Sequence, residues 1–192
     1  MNVIMKYVNQ LFSGGVDMEV IQENEGIEYL RMLTDLAPEE IVRLQGRFKE
    51  ISNGEETMTK EAFMKIEAIA RNPLKERIAT LCGFDHDLVK LTSDEFVVAI
   101  GQFNSPGKRE DKLKLAFRLH DLNDDGVITQ NDLKEYITIT TIESISTEDI
   151  QETINNVFKE FEPSTRRKGI NIADFQLVVG ASDFHTKLII PI

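Results

Sequence analysis

The feature that most constrains this chain is a fourfold repeat of polar loops, each ending in a lone aliphatic residue. An apolar residue follows each aliphatic residue five positions later, and a helix-start signal lies between the two. The aliphatic residues, at 58, 91, 128 and 170, are spaced 33, 37 and 42 residues apart. Self-similarity at such intervals indicates that one supersecondary unit is repeated along the chain. The four pairs are Met58 and Phe63, Leu91 and Phe96, Ile128 and Leu133, and Ile170 and Phe175.

Amphipathic helices are predicted on both sides of every polar loop, because apolar residues recur there at intervals of three and four. Pro38 and Ser146 suit the starts of two entering helices. The exiting helices have polar N-cap candidates, namely Thr59, Thr92, Thr129 and Asn171. We therefore expect an all-α fold of four helix–loop–helix units in two lobes. Short two-stranded contacts between the lone aliphatic residues would join the units in pairs.

The repeat also predicts how the chain is divided. Residues 1–35 precede the first unit and form an N-terminal extension. Residues 36–104 hold the first pair of units, the expected N-lobe, and residues 105–182 hold the second pair, the expected C-lobe. Residues 183–192 form an apolar C-terminal tail, for which we expect a place in a partner-binding groove when that groove is empty.

The third loop, Asp121–Asp132, matches the EF-hand calcium-loop pattern at every specified position except the last. Calcium prefers six to eight oxygen ligands, so the loop must wrap around the ion. Glycine at the sixth position, Gly126, permits the sharp turn this requires. Asp121, Asn123 and Asp125 are candidate side-chain ligands, and Val127 would offer its main-chain carbonyl. Thr129 is a direct or water-mediated candidate, and Asp132 would supply the final carboxylate.

Asp132 stands where the pattern has glutamate. Aspartate is one methylene shorter, so we expect one carboxylate oxygen, or a water, to reach the ion. A lower coordination number penalises Ca²⁺ more than Mg²⁺. The prediction is a single Ca²⁺ site of weakened affinity that holds Mg²⁺ at rest.

The other three loops are expected not to bind metal. The first, residues 52–62, is one residue short and has Ala62 at the final ligand position. The second, residues 83–95, is one residue too long, and its acidic stretch around His86 is interpreted as solvated loop rather than a metal cluster. The fourth carries Arg166, Arg167 and Lys168, whose charges would repel a cation.

Charge and composition exclude several classes of function. The net charge of −11 argues against nucleic-acid binding. The lone Cys82 favours a reducing compartment and is interpreted as a small buried apolar residue. We expect no catalysis, because Cys82 has no nucleophile motif around it and the three histidines, His86, His120 and His185, fall in different repeats. No apolar run reaches the roughly 18 residues of a membrane span, so no direct membrane insertion and a cytoplasmic location are expected.

Several stretches resemble the calcineurin B superfamily, which includes the calcineurin B homologous proteins and the calcium- and integrin-binding proteins. They are Arg47-Phe-Lys, Asn72-Pro-Leu-Lys-Glu-Arg-Ile78, Lys112-Leu-Lys-Leu-Ala-Phe-Arg118 and Asp183-Phe184. The run 112–118 is similar to calcineurin B, whereas 72–78 and Asp132 are similar to the integrin-binding branch, so both branches stay open.

The resemblance implies a non-catalytic regulatory or adaptor subunit. Such a subunit would hold an amphipathic helix of its partner in an apolar groove. The partner would be a phosphatase catalytic subunit or the cytoplasmic segment of a membrane protein, and through it the chain would lie at a membrane or cytoskeletal assembly. The alternative is a metal-independent structural light chain of a larger assembly. An amphipathic stretch, Met1–Phe12, is expected to pack on the chain itself.

Overall fold

The computed structural model describes residues 18–104, 106, 109–141, 145–161, 169–179 and 190–192, with the backbone alone for residues 18–24. These residues contain ten helices and four short strands. The helices are α1 (Met18–Thr34), α2 (Pro38–Ile51), α3 (Lys60–Met64), α4 (Glu67–Ala70), α5 (Lys75–Leu81), α6 (Ser93–Asn104), α7 (Arg109–His120), α8 (Gln130–Thr140), α9 (Thr147–Glu160) and α10 (Ile172–Val179). The strands are β1 (Thr57–Thr59), β2 (Lys90–Thr92), β3 (Val127–Ile128) and β4 (Ile170–Asn171).

The loops pair through the lone aliphatic residues, as the repeat predicts. Strands β1 and β2 are antiparallel, with Met58 opposite Leu91. Strands β3 and β4 are also antiparallel, with Ile128 opposite Ile170. All four side chains are buried. The second pairing needs a glycine beside it, because a Cβ on Gly169 would lie 2.5 Å from the carbonyl oxygen of Ile128. The all-α fold with two short paired contacts is therefore confirmed.

Buried apolar side chains form two clusters, which we call the first core and the second core. The first core is built from α1 to α6 and also includes Leu115, Leu119 and Ile190. The second core is built from α7 to α10 with Ile128, Phe161 and Ile170. Helix α7 contributes to both clusters, so it joins the two halves of the described structure. The exact limits of the lobes stay a prediction.

Helix starts follow the sequence signals. The side chains of Thr59 and Ser146 accept hydrogen bonds from Ala62 N and Asp149 N, at 3.2 and 3.1 Å. The exiting helix of the first unit is not continuous, however, because it breaks between α3 and α4 at Lys65 and Ile66. Ile66 adopts an extended backbone there, with ψ of 125°, and its side chain stays buried. A regular sequence period does not reveal such a break.

Helix α1 packs on the first core against α2 and α6. Leu30 is buried in that core and Ile27 packs against it, whereas Tyr29, Met32 and Leu33 are exposed. The second part of the N-terminal extension thus packs on the chain itself, although the stretch 1–12 lies outside the described residues. Helices α1 and α6 approach closely enough that a Cβ on Gly101 would lie 2.8 Å from Cγ2 of Thr34.

We expect Gly101→Ala to destabilise the protein, because Thr34 is buried and cannot move away from an added methyl group. Overpacking of this kind costs about 1–3 kcal/mol. Gly46→Ala is the matched control, because Gly46 is also helical but has nothing within 4 Å of its Cβ position. This control should gain about 0.5–1 kcal/mol, since alanine favours a helix interior. Urea unfolding followed by circular dichroism measures both, and equal stability of the two variants would contradict the packing.

Candidate metal centre

The third loop runs from the end of α7 to the start of α8, and a buried carboxylate holds its first half. Asp121 follows the last helical residue and is 2% exposed. Its Oδ2 accepts a hydrogen bond from Gly126 N at 2.9 Å, and its Oδ1 accepts one from Asp125 N at 3.2 Å. These bonds fold the main chain around the Asp121 carboxylate, because they join the first residue of the loop to the fifth and sixth.

The next two candidate ligands support the same turn. Asn123 Oδ1 accepts from Asp125 N at 3.1 Å, and Asp125 Oδ1 accepts from Val127 N at 2.9 Å. Gly126 has a φ of +84°, which favours glycine, and Asp124 has a φ of +55°. Asn123 Nδ2 also donates to Asp125 Oδ2 at 3.1 Å, so the two side chains lie side by side. The first half of the loop therefore has the folded form that an encircled cation requires.

Asp132, the last candidate ligand, uses one oxygen to start α8. Its Oδ2 accepts hydrogen bonds from the main-chain N–H of Thr129, at 2.8 Å, and from the Thr129 hydroxyl. Asp132 N donates in return to Thr129 Oγ1 at 3.2 Å, which completes a capping box. The other oxygen, Oδ1, takes no part in these bonds. Only Oδ2 of Asp132 belongs to the capping box, and a single-oxygen ligand at this position stays a prediction.

The loop concentrates negative charge that a cation would offset. Burial raises the pKa of the Asp121 carboxyl, and the nearby charges of Asp125 and Asp124 act in the same direction. Hydrogen bonds from Gly126 N and Asp125 N oppose this rise. The hydrogen bonds from Arg77 hold the pKa of Asp124 below its ordinary value. Hard oxygen donors around a sharp glycine turn fit Ca²⁺ or Mg²⁺ better than a softer metal.

Carboxylates alone do not make the site. Within the described part of the chain, no three His, Cys, Asp or Glu side chains converge closely enough to hold a metal ion. Asp121 and Asp125 lie in the first half of the loop, while Asp132 faces Thr129. The loop therefore also depends on the Asn123 amide oxygen and the Val127 carbonyl. The six residues remain candidate ligands, brought together as two hydrogen-bonded groups.

The first loop uses its starting position for another contact, and the second loop packs an aromatic side chain into the first core. Ser52, at the start of the first loop, donates its hydroxyl to Glu55 O at 3.0 Å and so closes the loop on itself. In the second loop, Phe84 is fully buried, with its ring centroid 5.1 Å from that of Phe63. His86 and its acidic neighbours are well exposed, as a solvated loop would be. Residues 166–168 of the fourth loop lie outside the described residues.

Cys82 is buried, and burial raises the pKa of its thiol to about 12. A thiol this hard to ionise is a poor nucleophile and a poor metal ligand. The interpretation of Cys82 as a packing residue is therefore confirmed. Among the described helices, none is both long and apolar enough to cross a membrane.

The sequence did not predict one ion pair at the third loop, between Arg77 beside the loop and Asp124 within it. Arg77 of α5 is only 8% exposed and forms an ion pair with Asp124, the fourth residue of the loop, at 2.7 Å. One signal was present: the spacing of Leu74, Arg77, Ile78 and Leu81 puts an arginine on an apolar helix stripe. A buried arginine requires an acceptor. The sequence does not reveal that this acceptor is Asp124, because the two residues are 47 positions apart.

The paired helix–loop–helix units and this loop have the form of EF-hands, and comparison with known families agrees for the second half of the chain. Residues 110–179 match the family described as EF-hand domain pair. This match covers the third and fourth units, including the whole candidate site.

Individual relatives extend the similarity to most of the chain. A type 2 calcineurin B subunit of Dictyostelium discoideum is 26% identical over 88% of this chain and 91% of the relative. A calcineurin B subunit of Naegleria gruberi is 26% identical over 86% and 93%. The human type 2 calcineurin B subunit is 26% identical over 87% and 98%. Over most of its length the chain is therefore similar to calcineurin B subunits.

We expect Asp132→Glu to raise Ca²⁺ affinity by roughly tenfold or more and to raise Mg²⁺ affinity less. The added methylene lets a carboxylate supply both oxygens, which Ca²⁺ accommodates better than Mg²⁺. Calorimetric titration of the full chain with each ion measures the change, and Asp121→Ala is the control that should remove binding. A wild-type chain with sub-micromolar Ca²⁺ affinity that Mg²⁺ leaves unchanged would contradict the mixed site.

Proposed function

We propose that the chain is a non-catalytic, calcium-binding EF-hand regulatory subunit that holds an amphipathic helix of a partner protein. The observation that carries the proposal is an apolar surface on the second core, as far as the described residues show it. Several apolar side chains pack against this core yet stay only partly buried, namely Ile137, Ile150, Val157, Phe158, Ile172, Val178 and Val179. An apolar surface of this kind suits the apolar face of a helix.

The proposed ion is Ca²⁺ at one site, with Mg²⁺ at rest. The buried Asp121 carboxylate and the Asx turns at Asn123 and Asp125 support an oxygen site. The single oxygen that Asp132 offers supports a weakened Ca²⁺ affinity. The proposed ligands are the six residues Asp121, Asn123, Asp125, Val127, Thr129 and Asp132.

The proposed partner is a phosphatase catalytic subunit. The relatives are named as calcineurin B subunits, which makes each of them one part of a larger protein. The present chain has a net charge of −11, so a partner helix with basic residues along its polar edges would be complementary. The oxygen-lined third loop favours a regulatory role for this chain over catalysis. The net charge of −11 agrees with a basic partner.

We expect the full chain to bind a peptide with the sequence of the helix that binds the regulatory subunit in a calcineurin catalytic subunit. Phe158→Ala should weaken this binding by roughly tenfold, because buried aromatic anchors dominate such interfaces. Leu88→Ala is the matched control, since Leu88 is 87% exposed in the second loop, outside the second core. Fluorescence anisotropy of labelled peptide measures the affinities, with circular dichroism to verify folding.

The same titration with Ca²⁺ or chelator separates the two candidate functions. Weaker binding in chelator supports the metal-dependent subunit. Equal affinity in both would support the metal-independent light chain instead. Equal affinities of Phe158→Ala and the control would reject the second core as the binding surface.

The described end of the C-terminal tail, residues 190–192, covers part of the first core. Ile190 is buried there. The side-chain amide of Asn104, in α6, donates to Ile190 O and accepts from Ile190 N, both at 2.8 Å. Arg43 of α2 donates to Ile192 O. An apolar segment held by main-chain hydrogen bonds resembles a bound peptide. We propose that the partner groove continues from the second core over the part of the first core around Ile190, so that the tail fills this part when no partner is bound.

Deleting Lys187–Ile192 should tighten binding of the peptide, because the tail then no longer competes for the part of the groove that lies over the first core. Asn104→Ala offers a second test that keeps the chain length, since it removes both hydrogen bonds to Ile190. Both variants should show a lower Kd in the anisotropy assay. Unchanged or weaker binding by both would count against a competing tail.

A further inference from the structure

Arg77 links the first core to the metal loop. It belongs to α5, whose other residues Ile78, Ala79 and Leu81 are part of the first core. Its guanidinium reaches the third loop and donates two hydrogen bonds to the Asp124 carboxylate. Nη1 donates to Oδ2 at 2.8 Å, and Nη2 donates to Oδ1 at 2.7 Å. Bidentate pairs of this geometry are among the strongest charge-assisted hydrogen bonds of side chains.

The same guanidinium also holds the main chain at the start of the loop. Nε donates to Arg118 O at 3.0 Å, and Nη2 donates to Asp121 O at 2.6 Å. Both carbonyls lie at the end of α7, where the helix leaves its last carbonyl groups without helical partners. The Arg77 side chain therefore contacts the main chain of Asp121, the first loop residue. The side chain of Asp121 is a candidate metal ligand.

Asp124 is not a candidate ligand itself, because it is the fourth residue of the loop. Its side chain is 47% exposed, whereas that of Arg77 is 8% exposed. Arg77 thus approaches from the protein side and fixes the loop segment between Asn123 and Asp125. The pair is neutral, so the arginine adds no net positive charge beside a bound cation.

We propose that Arg77, with Asp124, is a positioning residue that couples metal binding in the third loop to the first core, which is not expected to bind metal itself. The inference rests on the proposed metal site. With the pair intact, the loop is held in its folded form, and an ion that tightens the loop also tightens α5. Linkage makes the effect reciprocal, so a change in the first core alters metal affinity equally.

The decisive experiment is calcium calorimetry on the full chain, combined with hydrogen exchange of α5 amides with and without Ca²⁺. Arg77→Lys keeps a charge but loses the fork, and Asp124→Asn removes the ion pair while keeping the side-chain shape. Each should lower Ca²⁺ affinity by roughly fivefold or more, the range of ordinary coupling between sites. Each should also abolish the slowing of α5 exchange by Ca²⁺. Lys75→Ala, which removes an exposed cation on the same helix, should match the wild type.

The double variant separates coupling from simple charge effects. If Arg77 and Asp124 act as a unit, the two losses in affinity are not additive. Additive losses, or wild-type affinity and α5 exchange in Arg77→Lys, overturn the coupling alone. A wild-type chain that binds neither Ca²⁺ nor Mg²⁺ overturns the metal site and the coupling together. Asp124→Asn guards against misfolding, because Asp124 is half exposed and asparagine tolerates its positive φ.

Discussion

Antiparallel pairing of loop ends is the contact on which the rest of the described fold depends. Met58 pairs with Leu91 and Ile128 pairs with Ile170, and each pair buries two aliphatic side chains between two helix–loop–helix units. Each loop end is thus held by the neighbouring loop of its pair. This explains how the first loop can keep its shape with Ser52 at its start, where a hydroxyl-to-carbonyl bond replaces a ligand. The same kind of pairing holds the third loop at Ile128, opposite Ile170.

The second constraint is electrostatic, because the metal loop carries four aspartates within twelve residues. The chain stabilises all four with its own donors, and Asp125 accepts from Val127 N and Asn123 Nδ2. Main-chain N–H groups of Asp125 and Gly126 bind the Asp121 carboxylate, Arg77 binds Asp124, and Thr129 binds Asp132. These bonds reduce the repulsion that would otherwise open the loop. They also reduce the number of free oxygen atoms, since one oxygen of Asp132 already accepts the hydrogen bonds of the helix cap.

Sequence periodicity predicted the local parts of this structure well. The paired aliphatic residues, the caps at Thr59 and Ser146 and the turn at Gly126 depend on neighbours within a few positions, so spacing alone reveals them. Two features required distant contacts. The break between α3 and α4 follows from packing of Ile66 into the first core, and the Arg77–Asp124 pair joins residues 47 positions apart. Motif spacing indicated the six candidate ligands, but only the folded loop shows that Asp132 faces Thr129.

The two kinds of similarity differ for a physical reason. The EF-hand domain pair match is confined to residues 110–179, where the ligand pattern of the third loop persists. The calcineurin B relatives extend over 86–88% of the chain and so include the first pair of units. In that pair the ligand positions hold residues such as Ser52, yet the aliphatic pairing and the buried helix faces remain. Packing, rather than metal ligation, is therefore what the first pair shares with an EF-hand. The first pair of units can still act on the proposed ion site of the second pair, provided that a rigid contact joins them. Helix α7, which lies in both cores, provides that contact at the start of the metal loop.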